Sequence, residues 1–123
     1  MFELPEKYKE SVNWKYNAQI DVKEKISNGY GCYVLEHIDT GNLMMGSGNH
    51  MQEIITWVNR NIQDRLFSVE MFKQTKDIRI HVVTFKTKKE TTAAFKLMQE
   101  SVYPKYLLRK TAVHGLGKKR VKL

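Results

Sequence analysis

Two apolar stretches separated by four residues set the strongest constraint on this chain. Tyr30–Ile38 reads as a strand rich in Tyr, Val, Leu and Ile, and a second strand begins at Leu43 and ends in Gly46. Asp39-Thr40-Gly41-Asn42 between them is turn chemistry, with Gly41 supplying a residue that tolerates positive φ. Such a hairpin commits the chain to a sheet, and the later segments must cover it. Asn49 offers an N-cap to "HMQEIITWVNRNIQDRLF", where Met51, Ile54, Ile55, Val58, Ile62 and Leu66 recur at helical spacing. Asp77–Phe85 alternates as a third strand, placing Arg79 and His81 on one face and Ile78, Ile80 and Val82 on the other. Thr87 and Glu90 match a capping box for a helix through "TTAAFKLMQESV", which should stop before Pro104.

The start of the chain is less patterned. "LPEKYKESVN" permits a short helix with Pro5 in its first turn, and Trp14–Val22 alternates loosely as a strand. The elements predict an α+β fold, with a small, about three-stranded, antiparallel or mixed sheet flanked by helices. Residues 1–28 form an N-terminal extension packed on the core, 29–108 the core, and 109–123 a basic C-terminal tail. At 123 residues one domain is expected, large enough for a core without disulfides. The single cysteine, Cys32, sits in an apolar strand and reads as a buried structural thiol. No stretch reaches the roughly 18 apolar residues of a membrane span. The opening "MFELPEKYKE" is charged, unlike a secretory leader, so a cytoplasmic protein with no membrane association is expected.

Charge is unevenly distributed. The net charge is +8, from 21 basic and 13 acidic residues. Lys105, Arg109, Lys110, Lys118, Lys119, Arg120 and Lys122 account for seven of the cations, and no acid follows Lys105; the preceding residues hold the other 14 cations and all 13 acids. Basicity therefore belongs to the C-terminal segment, which suits contact with phosphate or with an acidic protein surface. No glycine-rich loop with a following lysine and no zinc-spaced cysteine pair occurs, and the four histidines are scattered, so no cofactor and no metal is expected.

Short motifs add a resemblance. Gly31-Cys32-Tyr33, then Met44-Met45-Gly46, the loop "GSGN", and "AAFKLMQESVYPKY" with its Pro104 and Tyr106 together resemble the GIY-YIG nuclease family. The similarity runs over about Gly29–Leu108. It implies a site in which two motif tyrosines, an arginine on the first helix and a metal-binding glutamate on the later helix converge on a phosphodiester. Only Tyr33 survives, as a vestige. The second tyrosine's position is Met44, the arginine's Ile54, the glutamate's Phe95, and an asparagine's Leu107. Every replacement is apolar, and a side chain such as Phe95 offers no oxygen to a hard cation.

The resemblance implies a non-catalytic nucleic-acid-binding accessory or regulatory protein, of viral style, on a degenerate nuclease scaffold. Its contacts would come from the seven C-terminal cations, with Tyr30, Tyr33 and His37 bordering the former cleft. Two rivals stand beside it. One is a protein–protein adaptor or inhibitor docking through Met44, Met45 and Phe95 where exposed. The other is a metal-dependent nuclease with displaced groups drawn from Glu36, His37, His50, Glu53 and Glu100.

Overall fold

The computed structural model describes residues 2–8, 11–64 and 77–102, together with the backbone of 107–109. The elements in chain order are β1 (Val12–Lys15), α1 (Val22–Lys25), β2 (Tyr30–His37), β3 (Leu43–Gly48), α2 (Met51–Gln63), β4 (Ile78–Phe85), α3 (Lys88–Glu100) and β5 (Leu107–Arg109). The fold is α+β. The sheet has the order β1-β4-β2-β3-β5, in which the first four strands are antiparallel and β5 runs parallel to β3. The expected three central strands are present, and the sheet is larger because β1 joins β4 and β5 joins β3.

The topology explains where the helices go. β3 and β4 both lie antiparallel to β2 on its two sides, so β3–α2–β4 is a crossover between parallel strands. β4–α3–β5 is another, and it travels back across the sheet in the opposite direction. Such connections are right-handed in nearly all proteins. Reversing the direction of travel therefore places α2 and α3 on opposite faces. Packing agrees. Met51, Ile54, Ile55, Val58 and Ile62 of α2 pack with Tyr33, Leu35, Met44, Ile78, Ile80 and Val82. Ala94, Phe95 and Met98 of α3 pack with Cys32, Val34, Leu43, Met45 and Val83. The five apolar side chains of α2, at ~1.5–3 kcal/mol each, contribute gross burial on the order of 10 kcal/mol.

Helix ends are set by local chemistry, with two departures from expectation. Thr87 accepts from the Glu90 amide at 3.2 Å and donates to its carboxylate at 2.9 Å, so α3 begins where the capping box predicts. α2 begins one residue later than Asn49 suggests. His50 is its N-cap, in a left-handed conformation at φ 60°, and its side chain makes no capping bond. The 26–29 loop supplies the cap instead: Met51 N–H donates to Gly29 O at 3.0 Å and Gln52 N–H to Asn28 Oδ1 at 3.1 Å. Leu66 lies outside the described residues.

The strand expected over Trp14–Val22 is confined to β1. Asn17 Oδ1 accepts from the Gln19 amide, and Asp21 Oδ1 from the Lys23 amide, both at 3.0 Å. These short polar side chains take the backbone away from the ladder and start α1. The expected helix near Pro5 is a single turn, closed by Tyr8 N–H to Pro5 O at 2.9 Å. Phe2, Leu4 and Tyr8 pack on the α3 face.

Candidate functional site

The positions carrying the nuclease resemblance do not converge. Tyr33, Met44 and Ile54 are 0–1% exposed and share the core beneath α2. Phe95 is buried beneath α3, on the other face of the sheet. Tyr33 and Gly46 are cross-strand partners, and a Cβ on Gly46 would stand 2.4 Å from the Tyr33 ring. The glycine is there because the ring occupies its side-chain space. Tyr33 is thus a core residue, which removes it from the nucleic-acid-binding set. Met44, Met45 and Phe95 are buried too, which removes them as an exposed docking patch. Glu53 on α2 and Glu100 on α3 are exposed, and the opposed helices hold them on opposite faces.

Of the other expected contacts, Tyr30 is half-buried at the start of β2, paired with Phe85. His37 closes the hairpin turn: its amide donates to Asn42 O and its carbonyl accepts from Gly41 N–H, each at 2.9 Å, while its Nδ1 lies 2.8 Å from Thr40 Oγ1. Gly41 has φ 76°, the positive value the turn requires. Arg109 contributes backbone to β5, in register with Met44. Its side chain and Lys105, Lys110, Lys118, Lys119, Arg120 and Lys122 lie outside the described residues.

Two polar groups not singled out as partners meet inside the fold. Glu36 of β2 and His81 of β4 are 1% and 3% exposed, and Glu36 Oε1 lies 3.0 Å from His81 Nε2. Glu36 Oε2 accepts from the Phe2 amide at 2.7 Å, and the Phe2 ring stands edge-on to His81 at 5.2 Å. The pair therefore pins the N-terminal segment to the α3 face. Beside it lies a groove of about 640 Å³ between that segment, the β2–β3 turn and the end of α3. Among the described residues its lining carries Glu3, Glu36 and Asp39 and no lysine or arginine, a lining that disfavours phosphate.

Burial lowers the His81 pKa below its usual 6.5; the hydrogen bond and charge of Glu36 oppose this, and Arg79 adds to it. His81 is therefore neutral at pH 7, and its charged form is better accommodated in the unfolded chain. A folded-state pKa below the unfolded one gives stability that is present above the unfolded value and lost as pH falls through it. Thermal melts should accordingly be flat above about pH 7 and decline as pH drops below roughly 6.5. The decline should shrink in His81→Gln.

The Cys32 thiol is fully buried, donates to Thr91 O at 3.5 Å, and is pushed up to about 12 by burial. It is a packing residue with no nucleophilic character. Among the described residues, no three His, Cys, Asp or Glu side chains are grouped to hold a metal ion, and no helix is long and apolar enough to cross a membrane. No family model, curated protein or solved structure matches the chain.

Proposed function

We propose that this protein binds nucleic acid without cutting it, through the basic segment from Lys105 onward, and acts as an accessory or regulatory factor. The observation that carries the reading is the segregation of charge: seven cations and no acid follow Tyr103, while the rest of the chain is close to neutral. A stretch of this kind neutralises phosphates without reading sequence. Two features of the body support it. β5 ties the start of the basic segment to one edge of the sheet, so the segment is anchored next to the globular domain. Met44, Ile54 and Phe95, which stand at positions of the resemblance, are core residues, which favours binding over phosphodiester chemistry. The protein would work in the cytoplasm, where its single thiol stays reduced.

The test is a salt titration of the full chain with a fluorescent DNA duplex. If four to seven phosphates are neutralised, the slope of log affinity against log salt is about −3.6 to −6, a loss of about a hundredfold or more between 50 and 200 mM. Changing Lys118, Lys119, Arg120 and Lys122 together to glutamine should make the slope shallower by about 3.6. Affinity independent of salt would overturn the reading and favour an apolar protein partner.

A further inference from the structure

On the α3 face, the two ends of the sheet differ in charge. The end with the β2–β3 turn presents Glu3 and Asp39 in the acidic groove. At the other end β4 gives way to α3, and exposed Lys86, Lys88 and Lys89 surround the Thr87 cap. Lys7 of the N-terminal segment joins them, since it and Lys86 line one groove of about 620 Å³. Lys7 Nζ stands 5.5 Å over the Tyr8 ring, which packs edge-on against Phe85 at the end of β4, so this cation is held beside the groove. Among the described residues, the carboxylates adjoining these lysines are Glu6 and Glu90, and Glu90 accepts from the Thr87 hydroxyl at 2.9 Å. Four cations against two acids, one of them engaged in a cap, leave this end positive.

β5 runs toward this end. It is parallel to β3, which stops at Gly48, and Gly48, Gly31 and Thr84 form one row across β3, β2 and β4. Arg109 is in register with Met44, four residues short of that row, and β4 lies three strands away from β5. About 13 Å along the strands and about 14 Å across them separate Arg109 from the end of β4, roughly 19 Å in all. The fourteen residues after Arg109 reach up to about 46 Å when extended. We infer that the lysine end is a second phosphate-contact surface for the nucleic acid held by the basic segment. One phosphate sits in the groove between Lys7 and Lys86, and its neighbours lie on Lys88 and Lys89. A duplex stretch of about 19 Å carries roughly eleven phosphates, so one ligand meets both surfaces. Such contacts position a duplex without reading its bases. The inference rests on the nucleic-acid reading above and deepens it, because the basic segment alone does not orient the body on its ligand.

The experiment is the salt titration of the full chain with a fluorescent DNA duplex, run on two charge-matched triple variants. Lys86→Gln, Lys88→Gln and Lys89→Gln together alter only exposed side chains and keep the Thr87–Glu90 cap, so the melting temperature should stay at the wild-type value. This variant should make the salt slope shallower by about 2.7 and weaken binding on the order of a hundredfold at 150 mM salt. Lys15→Gln, Lys23→Gln and Lys25→Gln together remove the same charge from exposed positions on β1 and α1, and should leave the slope unchanged. Equal effects of the two triple variants, or no effect of either, would overturn the lysine end and leave the basic-segment reading intact. Loss of binding to poly-glutamate in the first variant, with DNA affinity kept, would overturn it in favour of an acidic protein partner. No salt-sensitive binding of DNA by wild type would overturn both readings.

Discussion

Ile54→Arg is expected to unfold the protein rather than restore a catalytic group. Position 54 is where the nuclease resemblance calls for an arginine, and Ile54 is 1% exposed beneath α2, among Tyr33, Met44 and other apolar side chains. A guanidinium placed there has no carboxylate partner in that cluster and loses its water. The effective penalty for burying an unpaired ion is several kcal/mol, and the lost isoleucine packing adds to it. A total of about 4–5 kcal/mol is a large share of the roughly 5–15 kcal/mol that holds a domain of this size together. The melting temperature should fall by on the order of 15–20 °C or the folded state should be lost, as circular dichroism would show. The full set Met44→Tyr, Ile54→Arg and Phe95→Glu should yield no metal-dependent cleavage, because position 95 lies across the sheet from the other two. A folded, active triple variant would mean that the two faces have been assigned wrongly.

His81→Leu should be nearly as damaging, for a different reason. It leaves the Glu36 carboxylate 1% exposed with the Phe2 amide as its only remaining partner among the bonds described. Leaving a buried charged acceptor without its donor costs about 3 kcal/mol or more. Replacing both members with apolar groups removes the stranded charge. The double variant Glu36→Met/His81→Leu should therefore recover most of the loss, within about 1–2 kcal/mol of wild type. The cycle should also release the N-terminal segment, since Glu36 is the acceptor for the Phe2 amide. Faster proteolysis near Phe2 in the double variant, with the core intact, is the associated result. Additive losses in the cycle would mean the two side chains do not depend on each other.

The parts of the fold that are legible in the sequence are those with local causes. Hydrophobic period marks β2, β3, α2 and β4; Gly41 marks the turn, and Thr87 with Glu90 marks the start of α3. The illegible parts depend on contacts between distant segments. The opposed placement of α2 and α3 follows from the edge on which β5 pairs, and three residues at 107–109 carry no local sign of that choice. The start of α2 departs from the local signal because Asn28 and Gly29, more than twenty residues earlier, supply its cap.

Nothing in the sequence pairs Glu36 with His81, although a signal that Glu36 is buried is present. Tyr30–Leu35 is an unbroken apolar run, the mark of a strand buried on both faces. In such a strand Glu36 shares the pleat of Cys32 and Val34 and needs a partner inside the fold. The candidate nuclease residues fail for the converse reason. Motif spacing finds positions along the chain, but convergence is a property of the faces those positions occupy.

Binding without cleavage can be decided on a single gel. The full chain would be incubated with supercoiled plasmid DNA and with single-stranded RNA, in magnesium and in manganese, at low salt and at protein concentrations that saturate binding. Retarded bands are expected, and they should return to their original mobility, with the nucleic acid intact, once protein is digested away. Nicked, linear or shortened products that depend on the metal would contradict a binding-only role, and so would nucleic acid that is not retarded at all.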